Sequence, residues 1–332
     1  MKKFKTVDNL KIKTWFVTGA SSGVGHELCK QLLDRDYNVV AVSRRIPDFK
    51  HKNALCLSCD VTDPESVKEA INKGIEHFKR IDVVSNNAGI STSVIFEEET
   101  LEHMKKVMDV NFFGIYNVMH AIIPHFRKNH NGTIINNTSM SGLSPRKYGS
   151  AYCSSKHAIE GLTSVVHLET KNFCRVITFE LGWFRNTNIG KGGATGSKRT
   201  YIKEYENITS YYVPIKYDFD NILPEAINSI INEAEKETPR RRLILGRDAL
   251  IRVGYDNKAI QEDLKFSKEN FLSCSPKRKT QNKKIEYYQN YLKYLKYKIL
   301  KNFVGGKTKQ RYKEKQKIWH EKIRAARKLM KG

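Results

Sequence analysis

The chain has 332 residues, with 59 Lys+Arg against 35 Asp+Glu, a formal charge of +24 and 39% hydrophobic residues. Its 10% aromatic content excludes a wholly disordered chain, and 8 Pro with 20 Gly exclude a fibrous one. No window approaches the roughly 20 unbroken apolar residues of a membrane-spanning helix, and 6 Cys in a chain this long predict free thiols in a reducing cytoplasm.

The Lys-rich start could mimic a signal peptide, but the apolar run after it, Trp15 to Val17, is too short for an h-region. The charge is uneven. Residues 275–332 hold 20 Lys+Arg and 3 acids, a net of +17, which leaves +7 for residues 1–274. The expected organisation is a mildly basic body, 1–274, and a basic tail, 275–332.

Along the body, short β-branched or apolar runs alternate with longer amphipathic ones, the pattern of a doubly wound parallel sheet of Rossmann type, class α/β. Predicted strands are Lys13 to Val17, Asn38 to Ser43, Ala54 to Leu57, Ile81 to Ser85, Gly132 to Asn137, Arg175 to Phe179 and Arg242 to Leu245. Asp63-Pro64 reads as an N-cap followed by Pro at the first helical position, opening a helix to about Phe78. From Leu101 to Arg127, Leu101, Met104, Met108, Ile115, Met119 and Ile122 recur at helical spacing, which predicts one long helix with a buried face. The stretch from Asn186 to Tyr212 lacks a period and reads as a surface excursion of the kind that covers a site.

After the first strand comes Thr18-Gly19-Ala20-Ser21-Ser22-Gly23-Val24-Gly25, then a helical pattern. Glycines between strand and helix let the backbone approach a pyrophosphate whose charge the helix N-terminus holds. The second strand ends in Ser43-Arg44-Arg45, where folds that prefer NAD carry an acid for the ribose 2′-hydroxyl. A neutral Ser43 and a cationic Arg44, able to pair with a 2′-phosphate, favour NADP over NAD.

Tyr152 and Lys156 are four apart on a stretch whose apolar Ile159, Leu162 and Val166 predict a helix, so phenol and ammonium share a face. A free tyrosine titrates near pH ~10, and a close cation lowers that by roughly one to three units. Tyr152 then becomes a proton donor and acceptor near neutral pH. Ser139, after the strand through Ile134 and Ile135, is placed to hydrogen-bond a substrate oxygen beside the phenol. Asn111 is an unusual residue for mid-helix.

These residues in this order resemble the short-chain dehydrogenase/reductase family, in its compact single-domain branch, over about Lys11 to Leu250. The glycine run, Asn86-Asn87-Ala88-Gly89, Ser139 and Tyr152-Cys153-Ser154-Ser155-Lys156 carry the resemblance. It implies hydride transfer between a nicotinamide and a carbonyl or alcohol, with Ser139, Tyr152, Lys156 and Asn111 as the catalytic set. Asn111 is implied to hold a water linking Lys156 to solvent. Implied cofactor contacts are Thr18, Gly19, Ser21 to Gly25, Ser43, Arg44, Asp60, Val61, Asn87, Ala88, Gly89, Tyr152 and Lys156. After the sixth strand the family's Pro-Gly and following Thr are replaced here by Leu181-Gly182, then Asn186 and Thr187, and the nicotinamide contacts are assigned to Gly182, Asn186 and Thr187. Members of the family are often dimers or tetramers.

Cys56 and Cys59 have zinc-like spacing but no second pair of ligands, so core burial is expected, and no metal. His26, next to the glycine loop, reads as a surface helix residue. In the tail, Ile285, Tyr288, Leu292, Leu295 and Ile299 form an amphipathic basic helix, and after Gly305-Gly306 a second one runs through Trp319, Ile323, Ala326 and Met330. Such a segment suits the anionic, cytoplasmic face of a membrane or a solvated helical pair, ahead of nucleic acid. The functional alternatives are a non-catalytic nucleotide-binding scaffold tethered by the tail, which has no need of the Ser-Tyr-Lys set, and a sugar-nucleotide epimerase, whose glycine spacing differs.

Overall fold

The computed structural model describes residues 13–91, 93–184, 202–205, 221–271 and a few helical positions between 317 and 324. The chain divides into two compact units, Met1–Lys258 and Ala259–Gly332. In the first unit, seven strands form one sheet: β1 Thr14–Thr18, β2 Asn38–Ser43, β3 Ala54–Ser58, β4 Val83–Asn86, β5 Thr133–Asn137, β6 Arg175–Leu181 and β7 Arg242–Leu245. The helices are α1 Gly23–Leu33, α2 Pro64–Phe78, α3 Leu101–Met108, α4 Gly114–Asn129, α5 Ser150–Thr170, α6 Leu223–Ala234 and α7 Arg247–Phe271. All strand pairs are parallel, in the order β3-β2-β1-β4-β5-β6-β7.

Both faces of the sheet are covered, which is why its strands are apolar at successive positions instead of alternating with polar ones. On β1, Trp15 and Val17 pack with Leu28 and Leu32 of α1 and Ile227 and Ile230 of α6. Phe16 points the other way, among Val67 and Ile71 of α2, Val118 and Ile122 of α4 and Ile159 of α5. Strand order reverses between β1 and β4, and a ligand crevice opens beyond the carboxyl ends of strands at such a switch point.

Predicted and observed strands agree, with small differences at their ends. β6 runs two residues past Phe179 because β7 lies alongside, pairing Glu180 with Ile244 and Leu181 with Leu245. Asp63 caps α2 as expected, its carboxylate accepting from Glu65 N at 3.0 Å. The single helix expected from Leu101 to Arg127 is corrected. It is α3 and α4 joined by a π-helical turn, Asp109–Phe113. A π turn holds an extra residue, so the apolar stripe does not continue in phase across it. Ile115, Met119 and Ile122 are buried while Leu101 is 69% exposed.

No helix among the described residues is long and apolar enough to cross a membrane. The first predicted tail helix, the glycine break and most of residues 186–212 lie outside the described residues. Of the second tail helix, residues 317, 318, 320, 321, 323 and 324 are helical.

Candidate active site

At the switch point, the side chain of Thr18 ties β1 to the loop after β4. Its Oγ1 accepts from Asn87 N at 2.9 Å and Ala88 N at 3.1 Å. That tie holds two backbones close, and Gly19 is where they meet: its φ is +66°, and a Cβ there would lie 2.9 Å from Ala88 N. A Cβ on Gly25 would lie 2.5 Å from the Gly19 carbonyl oxygen. Ser22, the N-cap of α1, is extended and makes no side-chain capping bond, and the first turn holds no acid. Uncapped helix N–H groups behind a glycine cradle suit a diphosphate.

A cleft of about 730 Å³ gathers the glycine loop, Gly19 and Ser21 to Gly25, with Ser43 and Arg44 from the end of β2. Asp60 and Val61 follow β3 on the same wall, and Asn87, Ala88 and Gly89 follow β4. Asn87 donates from Nδ2 to Ser85 O at 3.0 Å, while its buried Oδ1 has no donor among the described residues. A hydroxyl of a bound ribose would supply one, so the cleft fits a dinucleotide. Asp60 Oδ1 already accepts from Thr62 N and Oγ1, at 3.0 and 2.8 Å. The Ser43 hydroxyl donates to the Arg45 carbonyl, which leaves Arg44 as an exposed side chain on the wall. Lys105 and Lys106 of α3 share an adjoining cavity with Arg44. Sequence reasoning passed over them because only folding brings α3 beside β2.

Deeper in, a pocket is lined by Ser139, Tyr152, Arg146, Leu181, Gly182, Trp183 and Phe184. Ser139 caps the short turn Met140–Gly142, its Oγ accepting from Ser141 N at 3.1 Å. Tyr152 and Lys156 lie one turn apart on α5, both buried. Lys156 donates from Nζ to Asn137 O at 2.9 Å, and the same nitrogen stands 5.6 Å from the centre of the Tyr152 ring. Burial lowers the lysine from 10.5 to about 8, opposed by the charge of Glu160. The Arg146 guanidinium also lies 5.6 Å from the Tyr152 ring centre and donates to Ser93 Oγ at 3.1 Å and Ser91 Oγ at 3.3 Å.

Asn111 sits in the π turn with its side chain turned inward. Oδ1 accepts from Ile90 N at 2.8 Å, and Nδ2 donates to Ile90 O and Ser155 Oγ, both at 3.0 Å. It therefore fastens the loop after β4 to α5. Gly182 joins the pocket wall but is also held by packing, since a Cβ there would lie 2.1 Å from Asp248 Oδ1. Asp248 accepts from Trp183 N at 2.7 Å and Asn221 Nδ2 at 2.8 Å. Asn186 and Thr187 lie outside the described residues. Cys56 and Cys59 are free thiols, and no metal-binding group occurs among the described residues. His26 is exposed on α1 and stacks on Phe49 at 4.9 Å.

Residues 13–195 match the model of the short chain dehydrogenase family. A 3-ketodihydrosphingosine reductase of Bacteroides thetaiotaomicron is 34% identical over 195 residues, 57% of this chain and 71% of that protein. An uncharacterized oxidoreductase of Schizosaccharomyces pombe is 31% identical over 262 residues, 76% of this chain and 88% of the relative. Among solved structures, a short-chain dehydrogenase from Streptomyces avermitilis superposes with a TM-score of 0.69 at 24% identity, covering 80% of this chain and 99% of its own. ElxO with NADP bound superposes at 0.59 and 26% identity, covering 71% and 97%. The chain belongs to the short-chain dehydrogenase/reductase family. It is an NAD(P)-dependent oxidoreductase that interconverts CH–OH and C=O groups on small-molecule substrates.

Proposed function

We propose that the protein is an NADP-dependent carbonyl reductase or alcohol dehydrogenase with Ser139, Tyr152, Lys156 and Asn111 as its catalytic set. The observation that carries this reading is the buried Lys156 ammonium 5.6 Å from the centre of the Tyr152 ring, a ring that shares a pocket with Ser139. A bound nicotinamide supplies the hydride. Ser139 donates a hydrogen bond to the substrate carbonyl oxygen and fixes it beside the phenol. Tyr152 gives that oxygen its proton, and the adjacent ammonium stabilises the phenolate left behind. Asn111 holds Ser155, and thus the start of α5, in register with the Ile90 loop. The glycine loop and Asn87 hold the dinucleotide, with Asp60 and Val61 beside its adenine end.

NADP over NAD is supported by Arg44 on the cleft wall, by the absence of an acid at Ser43 and by the NADP complex of ElxO. The test is an NADPH-oxidation screen over aldehydes, ketones, keto-sugars, acyl thioesters and 3-ketodihydrosphingosine, with Tyr152→Phe as the blank. We expect at least one class to oxidise NADPH in the wild type alone. Equal rates for wild type and variant throughout would defeat the assignment. The tail, 275–332, is proposed as a separate segment that binds anionic membrane surfaces by its charge.

A further inference from the structure

One turn beyond Lys156 on α5, the buried Glu160 meets a cluster in which one guanidinium serves two carboxylates. Arg242, at the head of β7, donates from Nη2 to Glu160 Oε2 at 2.5 Å and from Nε to Glu180 Oε1 at 2.9 Å. The Thr178 hydroxyl donates to the same Glu180 oxygen at 2.7 Å. The two remaining oxygens, Glu160 Oε1 and Glu180 Oε2, are both buried, and neither has a donor among the described residues. Two ionised carboxylates would leave both oxygens unpaired in a low-dielectric site, whereas one proton held between them satisfies both.

We propose that Glu160 and Glu180 share a single proton and, through the Glu160 carboxylate, act as positioning residues that keep Lys156 charged. This rests on the catalytic reading of Lys156. Among the described residues, the charged and titratable groups around the pair are Lys156 on α5 and Arg242 on β7. Arg241 donates instead to Ser164 Oγ, and the turn at Gly142 approaches Glu160 with backbone alone. Burial and the neighbouring Glu160 charge push the Glu180 carboxyl well above the usual range. When the shared proton leaves to water at rising pH, a second negative charge appears near Lys156 in the range where burial would strip the lysine of its own proton. The pair thereby extends the range over which the lysine stays cationic.

Two measurements on the full-length protein test this without a substrate. Infrared spectra should contain the carbonyl stretch of a protonated carboxylic acid at pH 7, vanishing as the pH is raised and missing in Glu180→Gln. In protein labelled with ¹⁵N-lysine, the Lys156 Nζ resonance, assigned by its loss in Lys156→Met, should titrate about one unit lower in Glu160→Gln. It should return towards the wild-type midpoint in Glu160→Asp. If Glu160→Gln does not fold, Glu180→Gln carries the test. Its amide donates to Glu160 Oε1 and freezes the pair in the protonated form, so the lysine midpoint falls there too. No protonated-carboxyl band at pH 7, or coincident lysine titrations in all variants, would overturn the proposal. A positive result beside a failed substrate screen would keep the proton pair and reject the proposed reaction.

Discussion

The ammonium of Lys156 is buried against the carbonyl of Asn137 at 2.9 Å, a contact between α5 and the end of β5. Desolvation lowers the lysine from 10.5 to about 8, so between those values the unfolded chain binds more protons than the folded one. Stability attributable to this group therefore rises with pH across that window and is lost as pH falls through about 8. Holding the charge at neutral pH costs about 3 kcal/mol. The unfolding free energy of wild type relative to Lys156→Met should grow by about that amount from pH 8 to 10.5, read by urea unfolding at a series of pH values. A flat difference would contradict the burial of a charged amine.

Tyr152→Phe removes one hydroxyl from a buried ring without altering the glycine loop. Turnover should fall by about 10²- to 10⁴-fold, the usual contribution of a positioned proton donor. NADPH should still bind, as judged by fluorescence titration. Wild-type turnover in this variant would exclude the phenol as the acid.

Cofactor choice is assigned to the end of β2. Ser43→Asp with Arg44→Ala places an acid where the proposed reading puts the ribose 2′-oxygen and removes the cation, so the NADPH/NADH ratio of kcat/KM should drop by about 10- to 150-fold, the equivalent of one or two charge-assisted hydrogen bonds. An unchanged ratio would shift the assignment to Lys105 and Lys106 of α3.

Gly182 tests packing directly, because the space a side chain would need belongs to the Asp248 carboxylate. Gly182→Ala should destabilise the fold by about 1–3 kcal/mol through overpacking and loosen the bond from Trp183 N to Asp248. Thermal unfolding reads this, and an unaltered midpoint would show that α7 yields freely.

The tail predicts a salt-sensitive interaction. Full-length protein should pellet with phosphatidylserine-containing vesicles at low salt, less so as ionic strength rises, and truncation before Ser275 should abolish it. Equal pelleting of the two forms would dismiss the membrane reading.

Much of this was legible beforehand because it depends on short-range spacing. The positions of the strands, the Asp63 cap, the glycine loop and the i, i+4 pair of Tyr152 and Lys156 are fixed by periods of two and 3.6 residues and by the backbone needs of glycine and proline. The π turn at Asp109–Phe113 was not legible, since its residues continue an apparently regular helical stripe and only packing of Asn111 against Ile90 and Ser155 reveals the extra residue. Glu160, Glu180 and Arg242 gave no signal either. Arg242 is 82 residues from Glu160 and 62 from Glu180 in the chain.

By itself, then, the sequence determined the class of fold, the glycine loop and the tyrosine–lysine pair, because each is written within one strand–turn–helix unit or one helical turn. The tertiary structure alone decided that Lys156 loses its solvent, that Asn137 is its acceptor, and that two carboxylates and one arginine lie behind it. Burial and proximity between distant segments arise only when β5, β6 and β7 align beside α5, and the lysine's proton affinity depends on those two quantities.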